Sequence, residues 1–244
     1  MFNFYEVGGC VRDGIMGIKS KDIDYTVVAS DELMHKTLDP NEIFYVLEDY
    51  LKKQGYTVWL STPDCFTIRA KFPEGHRLAG VTADFVLARK EMGYTPGTRK
   101  PLIIAGTLLD DLTRRDFTVN AIARDEAGNM YDPFNGKKDI TDMVLRTPLN
   151  CETTFNDDPL RILRAIRFSI TKGFSIPYPM YKVMNAYNYD EKMGVVSEER
   201  IREELFKCFH HNTPKTLDML KDFPTLTQYI FSKTKLWLKP TNEQ

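Results

Sequence analysis

Two aspartates one residue apart, Asp22 and Asp24, are the residues of this sequence whose types and spacing point most directly to chemistry. They begin a stretch of strand-forming residues, and residues i and i+2 of a strand point to the same face. Both carboxylates would therefore enter one small volume, where like charges repel unless cations lie between them. Because oxygen-only ligands select hard ions, the pair predicts a Mg²⁺ site, and the sequence leaves open whether Mn²⁺ replaces it.

A pair of such ions has a known use in phosphate chemistry. Two ions held about 3.5–4 Å apart clamp a phosphorus atom for in-line attack, one activating the incoming hydroxyl and one stabilising the leaving oxygens. The first functional hypothesis is therefore nucleotidyl transfer with two Mg²⁺ ions.

Gly8 and Gly9 belong to the segment 7–13, which a short turn of chain separates from the aspartates, and they lie at the start of a short helical pattern. Glycine lets the backbone approach a polyphosphate, the N–H groups of the helix would aim at the anion, and Arg12 would add a charged fork. Taken alone, a Gly-Gly turn is more often only a tight turn, and the spacing is not that of a Walker loop. The nearby Asp22 and Asp24 favour the phosphate-binding interpretation.

The elements that must position these residues follow from the periodicity of the chain. Its first half alternates strand-like and helical stretches and its second half is almost wholly helical, which predicts an α/β head over 1–147 and a helical neck over 148–244. The Gly- and Pro-rich segment 91–107 predicts a long loop. The predicted strands of the head are 4–7, 23–28, 56–60, 66–72 and 81–87, and its predicted helices are 11–16 and 41–54.

Composition indicates which broad class of protein to expect. The chain has 244 residues, 42% of them hydrophobic, which is ordinary for a globular protein. No apolar run approaches a membrane span and the first residues lack the pattern of a signal peptide, so we expect a cytoplasmic protein without membrane contact. The four cysteines form no metal-binding pair, which argues against zinc. With a net charge of −1, a nucleic acid would have to be bound in a local groove.

Several motifs resemble one enzyme family. The segment 7–13, Val-Gly-Gly-Cys-Val-Arg-Asp, followed by Asp-Ile-Asp at 22–24, resembles the opening motif of the class II CCA-adding tRNA nucleotidyltransferases and bacterial-type poly(A) polymerases. The resemblance covers the region between residues 5 and 206 and implies a mixed-sheet nucleotidyltransferase head of the polymerase β-like type followed by an all-α neck. Later family landmarks are matched in order by 83–91, 114–121, 132–136, 157–168 and 196–205.

The resemblance implies further site residues in the head. Asp84 would be the third carboxylate, which accepts the proton of the attacking hydroxyl or binds the catalytic ion. The motif at 114–121 resembles the family's ribose-reading motif, which offers donors to phosphate and an acceptor to a ribose hydroxyl. Outside this context it would be interpreted as a surface charge cluster. Its site residues are Arg114, Arg115, Asp116 and Asn120.

In the neck, the resemblance implies that Asp158 and Arg161 select the base. Neighbours at i and i+3 on a helix present an acceptor and a forked donor to one Watson–Crick edge, which suits cytosine and adenine. Arg164 lies on the same face and would reach the triphosphate. The alternative for the first two residues is an intrahelical salt bridge.

The functional prediction is RNA 3′-end nucleotidyl transfer from ATP, with pyrophosphate released. Because the sequence ends at Gln244, soon after the neck motif, poly(A)-type tailing is the first expectation. The alternative is CCA addition to tRNA from CTP and ATP. Two other classes are small-molecule adenylylation, which has no need of a base-reading helix, and a non-catalytic RNA-binding module, against which the three carboxylates argue. The oligomeric state is left open.

Overall fold

The computed structural model describes residues 1–20, 22–36, 39–95 and 101–233. These residues form two compact units, one of 1–95, 101–142 and 147–149, the other of 143–146 and 150–233. The predicted division into a catalytic domain over 1–147 and a base-selecting domain over 148–244 concerns their functions and stays a prediction.

A seven-stranded mixed sheet forms the first unit, which confirms the predicted fold class. Strands β2 and β5 are parallel, whereas the other neighbouring strands of this sheet are antiparallel. Along the sheet the order is β3 (Thr57–Thr62), β4 (Thr67–Lys71), β5 (Thr82–Leu87), β2 (Ile23–Ala29), β1 (Phe2–Val7), β8 (Ala123–Asp125) and β9 (Met130–Tyr131).

The helices of the first unit are α1 (Gly9–Ile15), α2 (Asp31–Lys36), α3 (Pro40–Lys53), α4 (Leu108–Thr113) and α5 (Gly136–Thr141). Helix α3 begins after Asp39, whose side chain accepts a hydrogen bond from the Asn41 N–H at 2.9 Å. Its apolar stripe, which includes Phe44 and Leu47, packs in the same core as Tyr25 and other residues of β2, β4 and β5.

This packing determines the direction of the polar side chains of β2. Because side chains alternate along a strand, Asp24 and Thr26 point away from the face that carries Tyr25 and Val27. Helix α4 lies on their side of the sheet, where Asp111 accepts a hydrogen bond from Thr26 Oγ1 at 2.7 Å. The predicted catalytic residues thus lie on the sheet face opposite to α3.

The described part of the second unit has helices and one isolated bridge, as the helical pattern predicted. Helix α7 buries Ile162, Ile166 and Ile170, and Arg167 on it forms an ion pair with Glu204. No helix of the described residues is both long and apolar enough to cross a membrane. The helices are α6 (Cys151–Asp157), α7 (Leu160–Lys172), α8 (Tyr178–Ala186), α9 (Tyr189–Lys192), α10 (Glu198–His211), α11 (Thr213–Lys221) and α12 (Pro224–Lys233).

The prediction of a long loop over 91–107 is wrong for the residues that the structure describes there. Strands β6 (Arg89–Tyr94) and β7 (Pro101–Ala105) form a separate antiparallel pair, with Lys90 opposite Ile104. The pairing shifts register between Glu91 and Tyr94, where Gly93 adopts a φ of 133°. Glycine and proline content indicated a loop because pairing between distant residues leaves no local signal. Residues 96–100 lie outside the described residues.

Candidate active site

The three predicted carboxylates line one pocket of the sheet. Asp24 on β2 is the direct neighbour of Asp84 in the parallel pair with β5, and Asp22 lies just before β2. The pocket has a volume of about 460 Å³. Its lining residues are Asp22, Ile23, Asp24, Trp59, Arg69, Thr82, Ala83 and Asp84.

The pKa of Asp24 reflects this crowding. Burial raises the pKa of the Asp24 carboxyl, and the negative charges of Asp84 and Asp22 raise it further. The guanidinium groups of Arg115 and Arg69 act in the opposite direction and lower the same pKa. An ionised Asp24 is therefore destabilised by its surroundings, which is the electrostatic condition that a bound cation would relieve.

Arg69 forms an ion pair with Asp84, the third predicted carboxylate. It faces Asp84 directly in the antiparallel pair of β4 and β5, and it donates from Nε to Oδ1 and from Nη2 to Oδ2, the second bond measuring 2.6 Å. Such a two-point pair is geometrically specific. Within the described residues, no group of three or more His, Cys, Asp or Glu side chains is arranged to hold a metal ion. The role of Asp22 and Asp24 as metal ligands stays a prediction.

Gly8 brings the chain close to both Asp24 and Arg115. It has a φ of 73° and precedes the first turn of α1. A Cβ built on Gly8 would lie 3.0 Å from Nη1 of Arg115 and 3.7 Å from Oδ2 of Asp24. Glycine is therefore needed here for its backbone conformation and for space. Gly9 follows as the first residue of α1.

A buried carboxylate holds Arg115 in this position. Arg115 Nη2 donates to Oδ2 of Asp111 at 2.9 Å and to Oγ1 of Thr26 at 3.2 Å. Arg114 donates to the other oxygen of Asp111, from Nε at 3.0 Å and from Nη2 at 2.5 Å. Burial by itself would raise the pKa of Asp111, but the charges of Arg114 and Arg115 and the hydrogen bonds bring the pKa well below its ordinary value. Asp111 is thus an ionised anchor beneath Arg115.

Arg12, Asp116 and Asn120 form a second buried network. Arg12 Nη1 donates to Oδ1 of Asn120 at 2.5 Å, and its Nε donates to Oδ1 of Asp13 at 2.8 Å. Asn120 in turn donates from Nδ2 to Oδ1 of Asp116 at 2.9 Å. With only 6% of its surface exposed, Arg12 joins α1 to the predicted ribose motif. The predicted contacts of these residues with phosphate and ribose remain predictions.

The base-selecting residues predicted for the neck lie in the second unit, around the start of α7. Asp158 Oδ1 accepts a hydrogen bond from the Leu160 N–H at 3.0 Å, so it caps the helix. Arg161 Nη1 donates to the carbonyl oxygen of Thr154 at 3.2 Å. The guanidinium of Arg164 lies 5.9 Å from the centre of the Phe168 ring. Their contacts with a base or a triphosphate remain predictions.

Sequence patterns did not identify Arg69 and Trp59, which line the pocket, or Asp111, which holds Arg115. Arg69 lies on an ordinary alternating strand, and only the register with β5 places it opposite Asp84. Asp111 lies within a run of acidic residues that is typical of a solvated helix start, although it is fully buried. Trp59 lies in the predicted strand 56–60, but its place in the edge strand and its exposure are known only from the structure.

The first half of the chain matches a known family model. Residues 4–146 match the model described as the poly A polymerase head domain.

Curated relatives match both units. The multifunctional CCA protein of Vibrio campbellii is 34% identical over 223 residues, which are 89% of this chain and 48% of that protein. The CCA-adding enzyme of Staphylococcus aureus is 32% identical over 225 residues, which are 90% of this chain and 49% of that protein. The chain thus spans about half the length of the curated relatives it matches.

Solved structures have the same fold. The CCA-adding enzyme of Bacillus stearothermophilus in complex with CTP aligns with a TM-score of 0.71 at 25% identity, over 90% of this chain and 47% of that one. The Thermotoga maritima CCA-adding enzyme complexed with tRNA aligns with a TM-score of 0.69 at 26% identity, over 95% of this chain and 49% of that one.

Proposed function

Because the chain belongs to the family of the poly A polymerase head domain, we propose that it transfers nucleotides to the 3′ end of an RNA. The 3′-hydroxyl oxygen forms a bond to the α-phosphorus of a nucleoside triphosphate, and the bond from that phosphorus to the bridging oxygen breaks. Pyrophosphate leaves, and the hydroxyl proton passes to a carboxylate of the pocket, for which Asp84 is the candidate. The observation that supports this most directly is the meeting of Asp22, Asp24 and Asp84 in one pocket.

Divalent cations fit this proposal. Asp22 and Asp24 offer oxygen donors, and the pKa of Asp24 is raised by burial and by the neighbouring carboxylates, both of which a bound cation would offset. Mg²⁺ bound there would supply Lewis-acid activation of the hydroxyl and charge neutralisation at the phosphates. Asp22 and Asp24 would hold it, and Asp84 would join them on leaving Arg69.

The triphosphate is assigned to the side of Asp24 that carries Gly8 and Arg115. The open backbone at Gly8 admits a phosphate oxygen, and Nη1 of Arg115 points at the same space. The buried charge of Asp111 fixes Arg115 there before substrate arrives. The hydrogen bond from Arg12 to Asn120 fixes α1 to the segment that contains Asn120.

Among the possible products, we favour the CCA sequence built from CTP and ATP on tRNA. Poly(A)-type tailing was the first expectation, and the relatives, which are named CCA-adding enzymes, favour its alternative. Asp158 and Arg161 suit this substrate pair, because an acceptor and a donor fork match the Watson–Crick edges of cytosine and adenine.

The test offers each nucleoside triphosphate, singly and mixed, to a tRNA lacking its CCA end and to an unstructured oligoribonucleotide, and sizes the products. Three added nucleotides on tRNA that require both CTP and ATP are expected. Long tails from ATP alone on both primers would instead assign poly(A)-type addition. Asp22→Asn should lose transfer, whereas Asp49→Asn, which changes an exposed carboxylate on α3, should retain it.

A further inference from the structure

A bulge in the edge strand β3 turns Trp59 toward the carboxylate pocket. Val58 is opposite Ala70 and Leu60 is opposite Arg69, so Trp59 is the extra residue of β3. Bulges of this kind are common beside active sites, where they redirect a side chain. Trp59 accordingly lines the pocket of Asp24 and its neighbours.

The ring of Trp59 is available to a ligand. Trp59 keeps 59% of its surface exposed, although tryptophan is usually largely covered in a folded protein. The guanidinium of Arg69 lies 5.5 Å from the ring centre, on the path from the ring to Asp84. An exposed indole beside a guanidinium is suited to a ligand that joins a flat ring to an anionic group.

The nucleotides of an RNA are ligands of this kind, because each joins a flat base to an anionic phosphate. Aromatic side chains stack with any base, because every base has a π-face, and single-stranded RNA is commonly bound in this way. We propose that Trp59 stacks with the base of the 3′-terminal nucleotide of the RNA primer, and that Arg69 lies beside the sugar-phosphate of that nucleotide. The proposal rests on the proposed function and adds the place of the second substrate.

The order of the strands favours the primer over the incoming nucleotide. Gly8 and Arg115 lie on the β1 side of Asp24, whereas Trp59 and Arg69 lie on the β5 and β4 side. In an in-line transfer the attacking and leaving oxygens occupy opposite sides of the phosphorus. With the triphosphate on the Gly8 side, the attacking 3′-hydroxyl must come from the side of Trp59.

Steady-state kinetics test this with three variants. Trp59→Ala should raise KM for the primer about tenfold or more and leave KM for ATP within about twofold, because stacking on an aromatic ring is lost. Trp59→Phe should restore most of the primer affinity. Leu60→Ala changes the neighbouring exposed side chain of the same bulge, 43% exposed, and should leave both constants unchanged. Thermal unfolding of each variant checks that the sheet is intact.

Fluorescence provides a test that needs no turnover. The chain has two tryptophans, so Trp237→Phe leaves Trp59 as the single emitter. A short oligoribonucleotide should quench its emission in a saturable way, and ATP alone should not. Quenching by ATP alone, or an unchanged primer KM in Trp59→Ala together with unchanged emission, would overturn the proposal.

The two proposals fail in different ways. If the wild-type chain transfers no nucleotide to any RNA, the proposed function fails, whereas saturable quenching by RNA would still support stacking on Trp59. If transfer proceeds, the primer KM is unchanged in Trp59→Ala and RNA does not quench the emission of Trp59, only the stacking proposal fails.

Discussion

Arg69 holds both carboxylate oxygens of Asp84, its direct neighbour on the next strand. The pair lies within the pocket of Asp22 and Asp24, so one of three clustered negative charges is already neutralised by a side chain. A metal ion that uses Asp84 must therefore compete with a guanidinium. Such competition would couple cation binding to the position of Arg69.

Replacing Arg69 by glutamine should increase the stabilisation that Mg²⁺ gives. The variant leaves Asp84 without its guanidinium partner beside Asp22 and Asp24, so metal-free protein should unfold at a lower temperature and Mg²⁺ should bind more tightly. Tenfold tighter binding would enlarge the Mg²⁺-induced shift in Tm by about 3–6 °C. Thermal unfolding in EDTA and in Mg²⁺ measures this. Arg202→Gln removes an ion pair with Glu198 in the other unit and should leave the Mg²⁺ shift unchanged; an equal shift in both variants would exclude Asp84 as a ligand.

Asp24→Asn should abolish transfer and yet stabilise the metal-free protein near neutral pH. The folded-state pKa of Asp24 lies above its ordinary value of 3.8, so the folded protein binds the proton more tightly and ionisation costs folding free energy. That cost is present above the raised pKa and absent below about 3.8, so the advantage of asparagine should disappear on acidification. Tm of both proteins across this pH range is the measurement, and a lower Tm for the variant at pH 7 would contradict the assignment.

Gly8→Ala should cost more activity than Gly17→Ala. Both glycines have positive φ, 73° and 72°, so alanine strains the backbone at each by about 1–3 kcal/mol. Only at Gly8 does the new Cβ meet Arg115, since nothing lies within 4 Å of it at Gly17. We expect KM for ATP to rise in Gly8→Ala alone. Similar KM values in the two variants would remove Arg115 and Gly8 from the triphosphate site.

Asp111→Asn should destabilise the first unit by about 3–5 kcal/mol, because it leaves two arginines beside a buried neutral group. The lowered pKa of Asp111 means that its stabilisation is present above the unfolded-state pKa and is lost as the pH falls through the folded-state value. Denaturant unfolding at pH 7 measures the difference. Asp218→Asn, at an exposed pair with Lys221, serves as control and should unfold like the wild type.

Asp158→Ser should relax base selection without unfolding α7. Serine still accepts the hydrogen bond from the Leu160 N–H but lacks the carboxylate that would accept from the amino group of cytosine or adenine. Discrimination against UTP and GTP in kcat/KM should fall by roughly tenfold to a hundredfold. Asp190→Ala, an exposed change in the same unit, should keep full selectivity. Unaltered selectivity in Asp158→Ser would leave Asp158 with the role of a helix cap.

Local patterns were sufficient for most elements of the fold. The strand at 23–28 and the helix at 41–54 were predicted to within two residues of β2 and α3, because alternation and helical periodicity are properties of adjacent residues. The same alternation predicted that Asp22 and Asp24 enter one volume, and both line the pocket. The predicted loop at 91–107 failed because β6 and β7 depend on pairing with each other.

The sequence by itself determined which carboxylates, glycines and arginines form the predicted site and in which elements they lie. Only the tertiary structure decided their partners: Arg69 on Asp84, Asp111 under Arg115, and Trp59 turned into the pocket by a bulge. These relationships depend on the register between strands and on the packing of α4 against β2. Both the register and this packing are determined by residues far apart in the chain, so no window of adjacent residues contains the information.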